Sequence, residues 1–250
     1  MTRLLILGGT REASDLARVV ADAGIDAVLS YAGRVARPAA QPVPVRVGGF
    51  GGAAGLAQYL CAEGITRLID ATHPFAAQMS YNAVNAAAAA DVPLAALSRP
   101  EWTPQPGDRW RHVPDIAGAV DALARPSRRV MLAVGRMHLD AFAAQPQHRY
   151  LLRLVDPPKT PPPLPAQTVT VSRGPFTVAG DTALMQKHAI DTVVAKNAGG
   201  DGARAKLDAA RALGIEVIMI DRPALPERQE VNTVGAALRW LGHAGADLGV

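Results

Sequence analysis

His73 stands directly before Pro74 in the run Asp70-Ala71-Thr72-His73-Pro74-Phe75, and Lys196-Asn197 stands directly before Ala198-Gly199-Gly200. Proline pushes the residue before it to extended backbone. That would project the His73 imidazole from the end of the preceding hydrophobic run, where it could donate to a carboxylate or orient a cofactor. A local bond to a loop carbonyl is the alternative. The glycines behind Lys196 let a ligand approach closely, and its ammonium suits an anionic group. Arg136 after Gly135, Ser172-Arg173 before Gly174-Pro175-Phe176, and Arg222 before Pro223 add a hydroxyl and further cations. Residues of these types hold a small molecule with several carboxylates.

Other chemistries lack their residues. No tyrosine is followed four positions later by lysine, so the acid pair of short-chain dehydrogenases is missing. No two histidines are four apart and the single cysteine, Cys61, has no cysteine partner, which argues against zinc. There is no Gly-x-Ser-x-Gly elbow and no Walker A motif.

A second kind of chemistry is written near the N-terminus, in Leu4-Leu5-Ile6-Leu7-Gly8-Gly9-Thr10-Arg11-Glu12-Ala13. Four aliphatic residues read as a buried parallel strand. Two glycines turn the chain, and Leu16, Ala17, Val19, Val20 and Ala23 can share one helical face. A helix start behind such a turn favours an anion through its N–H groups and its dipole. Of the dinucleotide fingerprint G-x-G-x-x-G/A, Gly8 and Ala13 fit while Thr10 replaces the middle glycine. A β-branched residue there keeps the backbone further from a pyrophosphate, although its hydroxyl could donate to one. A tight turn that binds nothing is the other reading. Arg11 and Glu12 pair with each other or cap the helix. About 20 residues on, where NAD-binding folds carry an acidic residue, this chain has Ser30 and, beyond Tyr31 and Gly33, Arg34. A hydroxyl and a guanidinium suit a 2′-phosphate, so a dinucleotide here is NADP(H) rather than NAD(H).

These residues need a sheet to carry them. The hydrophobic share of 49% against 19% charged residues, over 250 residues, describes a globular chain with room for one long or two short domains. Strand patterns fall at Leu4–Leu7, Asp26–Ser30, Val43–Val47, Arg67–Asp70 and 92–97, with helices between them and alanine-rich helix over 78–90. The order βαββαβαβ describes a doubly wound unit. The proline-rich stretch 100–107 is a candidate boundary. A second series of strands follows at 129–134, 150–155, 168–171, 192–195 and 216–220, with helices over 181–188, 203–213 and 233–242. Asp156 to Pro165 holds six prolines and reads as a stiff connector. The last seven residues read as frayed. The expected architecture is α/β, two Rossmann-like doubly wound parallel-sheet halves over 1–100 and 101–250 with a ligand cleft between them. Asp70-Ala71-Thr72-His73-Pro74-Phe75 and Thr170-Val171-Ser172-Arg173-Gly174-Pro175-Phe176 echo one another, each running from a strand end through a hydroxyl and a cation to Pro-Phe.

The net charge is +4 but no run of five or six like charges occurs, and aromatics are only 4%, so no nucleic-acid partner is expected. No 18-residue apolar run or leader pattern is present, so no membrane partner is expected either. With one cysteine, the reading is a cytoplasmic protein.

Taken together and in order, Leu5 to Ala13, Asp70 to Ala76, Ser172 to Phe176, Lys196 to Gly200 and Ile220 to Pro223 resemble the precorrin-6A reductase family of cobalamin (corrin) biosynthesis. The resemblance implies two Rossmann-like halves and NADPH-dependent hydride transfer to one ring double bond of precorrin-6A, a polycarboxylate tetrapyrrole, giving precorrin-6B. It implies cofactor contacts at Gly8, Gly9, Thr10, Arg11, Ser30, Arg34 and Thr72. It implies substrate contacts at His73, Arg136, Ser172, Arg173, Lys196 and Asn197, with His73 and Lys196 nearest the chemistry, no metal ligands, and neighbouring pathway enzymes as partners. The alternatives are the cobalt-precorrin-6A reductase of the anaerobic branch, a non-catalytic NADP(H) sensor, and a transferase of the same fold class with a nucleotide-linked donor.

Overall fold

We describe a computed structural model of the chain, over residues 2–32, 40–154, 157–158, 160–172 and 174–243. In chain order the elements are β1 (Arg3–Leu7), α1 (Arg11–Asp22), β2 (Asp26–Tyr31), β3 (Val45–Val47), α2 (Gly52–Ala62), β4 (Arg67–Asp70), α3 (Ala77–Ala89), β5 (Leu94–Leu97), β6 (Trp110–Val113), α4 (Ile116–Ala122), β7 (Arg129–Ala133), two 3-10 turns (Arg136–His138 and Asp140–Ala144), β8 (Arg149–Leu154), β9 (Gln167–Val171), α5 (Val178–Lys187), β10 (Thr192–Lys196), α6 (Ala205–Ala212), β11 (Glu216–Ile220), β12 (Gln229–Val231) and α7 (Val234–His243).

The strands form two six-stranded sheets in which every pairing is parallel. The first runs β3-β2-β1-β4-β5-β12, the doubly wound order in which the dinucleotide crevice lies beside the first strand. The aliphatic run of β1 is buried on both faces. Leu4 and Ile6 pack with α1 and α7, while Leu5 and Leu7 pack with α2 and α3. An unbroken apolar strand is what such a two-faced position requires. The second sheet runs β9-β8-β7-β10-β11-β6. Met131, Val193, Ala195, Val217 and Met219 form one of its cores with residues of α5 and α6.

Both sheets thus have the same order, and each draws its sixth strand from beyond its own run. After β5 the chain leaves the first unit and lays β6 beside β11 of the second. After β11 it returns and lays β12 beside β5. The first unit is therefore 1–100 with 224–250, and the second is 101–223. This corrects the expected division at 101. The reason is local: Gln229–Val231 pair with Ala95–Leu97, and Ala237 and Leu241 of α7 are buried in the α1 core. The 244–250 tail lies outside the described residues.

The two runs that echo one another, Asp70–Phe75 and Thr170–Phe176, do follow strand ends, but in different places of their sheets. Asp70 ends β4, the fourth strand of its sheet order, whereas Val171 ends β9, which takes the third-strand place. The counterpart of the Asp70 end is the Lys196 end of β10.

Candidate functional site

At the end of β1 the two glycines have different duties. Gly8 donates its N–H to the Ser30 carbonyl at 2.8 Å, and a Cβ there would come within 2.7 Å of Leu29 Cδ1. Gly8 is therefore glycine for close packing against β2. Gly9 has φ +127°, a conformation open to glycine, and a Cβ there would meet nothing within 4 Å. Thr10 is the N-cap of α1. Its Oγ1 accepts from Ala13 N at 3.2 Å and donates to the Ala71 carbonyl at 2.7 Å. The hydroxyl's one proton is thus committed inside the protein, and a phosphate at this corner would meet backbone N–H groups instead. The first-turn N–H groups of Arg11 and Glu12 have no intrahelical acceptor, as in any helix. The open face at Gly9 and these donors fit a pyrophosphate.

Arg11 and Glu12 pair with other residues rather than each other. Arg11, largely exposed, lies 3.5 Å from Asp15, one turn along α1. Glu12 takes the Arg99 Nη1 on both carboxylate oxygens, at 3.0 and 2.9 Å, which ties the corner to the residue two past β5.

Ser30 is buried near the end of β2. Arg34, its expected companion, lies outside the described residues, as does Arg173. The structure supplies another guanidinium. Arg46 on β3 is the register partner of Ser30, with Nη1 3.5 Å from Ser30 Oγ. It donates to the carbonyls of Gly48 and Gly49 at 2.6 and 2.8 Å and lies 3.8 Å from the centroid of the Phe50 ring. Sequence reading missed it because it sits inside a three-residue strand. Its one sequence signal is the glycine run Gly48-Gly49, whose carbonyls it holds.

The end of β4 is organised by Asp70, which is 3% exposed. Its Oδ1 accepts from Thr72 N at 3.1 Å and Thr72 Oγ1 at 2.6 Å. Its Oδ2 accepts from Ser80 Oγ at 2.6 Å and Arg228 Nη1 at 2.9 Å. The Thr72 hydroxyl proton is therefore used within this loop. His73 Nδ1 accepts from Phe75 N at 3.2 Å. The histidine is locally bonded, to an amide rather than to the carbonyl considered from sequence. An accepting Nδ1 puts the neutral ring's proton on Nε2, which is then a donor.

In the second unit the corresponding first-strand corner has no α-helix. Gly135, at φ +79°, leads from β7 into the two short 3-10 turns, and Arg136 is exposed at the first of them. Arg136, Leu139, Asp140, Leu154, Pro158, Thr160 and neighbouring prolines line a groove of about 380 Å³. Ser172 is half-buried just past β9, with its N–H on the Leu154 carbonyl at 2.9 Å. Lys196 is the half-buried last residue of β10. Asn197 differs from expectation. It is 1% exposed, its Oδ1 accepts from Trp102 N at 2.8 Å, and its Nδ2 donates to the Trp102 carbonyl and to Glu101 Oε2. Its side chain is occupied in holding the entry of the chain into this unit. Arg222 braces the same loop, donating to the carbonyls of Asn197 and Ala198 at 3.0 and 3.2 Å.

The model of the precorrin-6x reductase family CbiJ/CobK matches residues 3–242. The chain belongs to the precorrin-6x reductase family. As a member it is an enzyme, a reductase, and reduction of this kind draws on a nicotinamide cofactor. The chain is 60% identical to the precorrin-6A reductase of Rhodobacter capsulatus, with 98% of each chain covered. It is 50% identical to that of Rhodococcus erythropolis, over 97% of this chain and 98% of the other. The cobalt-precorrin-6A reductase of Priestia megaterium is 29% identical over 96% and 97%. A solved structure, CobK precorrin-6A reductase, superimposes with a TM-score of 0.94 at 60% identity and 98% coverage of both chains. For this precorrin-6x reductase family member, no helix among the described residues is long and apolar enough to cross a membrane.

Proposed function

We propose that this chain reduces metal-free precorrin-6A to precorrin-6B with NADPH, in the cytoplasm. One double bond of the macrocycle gains a hydride and a proton, and NADPH leaves as NADP+. The observation that carries the cofactor assignment is the difference between the two first-strand corners. The first unit keeps Gly9 at positive φ before a twelve-residue helix, whereas the second has only 3-10 turns of three and five residues. The support for the metal-free substrate is that relatives named precorrin-6A reductase reach 60% identity and those named for the cobalt complex reach 29%.

When bound, the nicotinamide supplies the hydride. The chain's own residues bind and orient. Gly9 and the backbone N–H groups of Arg11 and Glu12 take the pyrophosphate, with Gly8 setting the turn. Ser30, Arg34 and Arg46 take the 2′-phosphate, for which guanidinium geometry is suited. Thr72 and His73, just past the end of β4 beside the dinucleotide crevice, would lie toward the nicotinamide. The His73 Nε2–H donates to a substrate carboxylate. In the second unit Arg136, Ser172, Arg173 and Lys196 take carboxylates of the tetrapyrrole, and Asn197 acts through the loop it fixes. Water delivers the proton. Titration of the protein with NADPH and with NADH tests the cofactor assignment. We expect NADPH to bind at least about tenfold more tightly, the worth of one charge-assisted contact. Equal affinities would contradict it.

A further inference from the structure

Asp70 and Arg228 come from places 158 residues apart in the chain. Asp70 ends β4, while Arg228 stands at the head of β12, the strand that the C-terminal segment returns to the first sheet. Their side chains are 2% and 7% exposed and meet at 2.9 Å. Arg228 also reaches Glu230, itself half exposed, at 3.3 Å. Two carboxylate oxygens receive four hydrogen bonds, from Arg228, Ser80 of α3, and the amide and hydroxyl of Thr72. A buried carboxylate with this many donors is held immobile.

The loop it holds is the one on which the nicotinamide side of the proposed reaction depends, and the inference rests on that reading. From Asp70 the contacts run without a break through Thr72 into the turn where Phe75 N donates to His73 Nδ1 and Ala76 N donates to the His73 carbonyl at 2.7 Å. One residue before Thr72, the Ala71 carbonyl takes the Thr10 hydroxyl, so the same loop is tied to the glycine corner. Tyr81 Oη of α3 donates to the Ala224 carbonyl, which fastens the returning segment to the helix that carries Ser80. The chain's last strand therefore does more than complete the sheet edge.

We propose that Asp70 and Arg228 are a positioning pair. Through Thr72 they hold His73 and its loop in the geometry that hydride transfer needs, and they do not contact substrate or cofactor themselves. The orientation of a reacting pair is steep in distance, and a loop displaced by about 1 Å costs about a hundredfold in rate.

The test uses Arg228→Met, Arg228→Lys, Thr72→Val and Thr72→Ser in the full chain. Thr72→Val removes the hydroxyl's bond to Asp70 and leaves the amide's bond and the buried ion pair in place, so it loosens the link without disturbing the pair and serves if Arg228→Met does not fold. The first readout needs no activity: hydrogen exchange of the amides of Thr72, Phe75 and Ala76. We expect exchange about tenfold faster in Arg228→Met and Thr72→Val, and near-native exchange in the Lys and Ser variants. The second is the split between kcat and KM. We expect kcat to fall about 10- to 100-fold, by more than KM for precorrin-6A rises, with NADPH affinity little changed in Arg228→Met. Native exchange in the folded Met and Val variants would overturn the proposal, and so would loosened exchange with native kcat. A wild-type enzyme that fails to oxidise NADPH with precorrin-6A defeats the reductase reading instead, and the exchange measurement still decides the pair.

Discussion

The Thr10 hydroxyl donates to the Ala71 carbonyl across 2.7 Å while accepting from Ala13 N, so one side chain caps α1 and fastens the glycine corner to the end of β4. At the place where the dinucleotide fingerprint has its second glycine, this chain uses a residue that builds the corner rather than one that clears space. Thr10→Val keeps the shape and loses both bonds. We expect a loss of about 1–2 kcal/mol of stability with weaker NADPH binding, and recovery of both in Thr10→Ser. Urea unfolding and nucleotide titration read the two effects.

Gly9 and Gly8 separate conformation from packing. Gly9→Ala has open space but an adverse φ of +127°, so a folded protein with NADPH affinity lowered about tenfold is expected. Gly8→Ala drives a Cβ to 2.7 Å from Leu29 and should lower the urea midpoint as well.

Arg46→Met tests the guanidinium that stands beside Ser30. If it contributes to the 2′-phosphate site, NADPH affinity falls at least about tenfold while NADH affinity holds. Equal losses for both nucleotides would assign Arg46 to bracing the Gly48-Gly49 turn alone.

Asn197→Ala leaves the Trp102 amide and carbonyl without their partner. We expect about 2–4 kcal/mol less stability, seen in urea, with NADPH affinity unchanged. A raised KM for the tetrapyrrole at native stability would return Asn197 to the substrate contacts.

Alkaline unfolding reports on Tyr150. Burial pushes its phenol up to about 12, and its Oη donates to the Gln145 carbonyl at 2.8 Å. As pH rises the unfolded chain loses this proton first. The contribution is intact below the unfolded value near 10 and is lost as pH climbs toward 12. Stability should fall across that window, and Tyr150→Phe should flatten the fall while costing about 1 kcal/mol at neutral pH.

Much of the fold could be read from the residues. Leu4–Leu7, Arg67–Asp70 and Glu216–Ile220 are strands because their apolar runs are sandwiched between helix layers. The exchange of sixth strands could not be read in the same way. Trp110–Val113 and Gln229–Val231 are short edge strands whose residues are mostly exposed or half-exposed, so neither shows the apolar run that marks an inner strand. The repeat that does mark the exchange is quieter than Pro-Phe. Leu97-Ser98-Arg99-Pro100 and Ile220-Asp221-Arg222-Pro223 each put Arg-Pro two residues past the fifth strand, and the chain changes units after each proline. In both cases the arginine turns back to brace a loop, Arg99 on Glu12 and Arg222 on the carbonyls of Asn197 and Ala198. Each transferred helix is then capped alike, by Asp115 on Gly118 N and by Thr233 on Ala236 N.

The site was legible in type more than in detail. Among the described residues, the glycines, hydroxyls and cations singled out do stand at or just past strand ends. Which side chains the protein uses for itself depends on partners far along the chain. Thr10 meets Ala71, Asn197 meets Trp102, and Asp70 meets Arg228, and no local pattern announces such pairs.

The measurement that bears most directly on the function is NADPH oxidation by the purified protein with metal-free precorrin-6A, followed in parallel with its cobalt complex. We expect turnover with the metal-free ring, yielding the dihydro product, and a much lower kcat/KM with the cobalt complex. Tight NADPH binding without oxidation by either ring would contradict the reductase assignment, and preference for the cobalt complex would contradict the substrate.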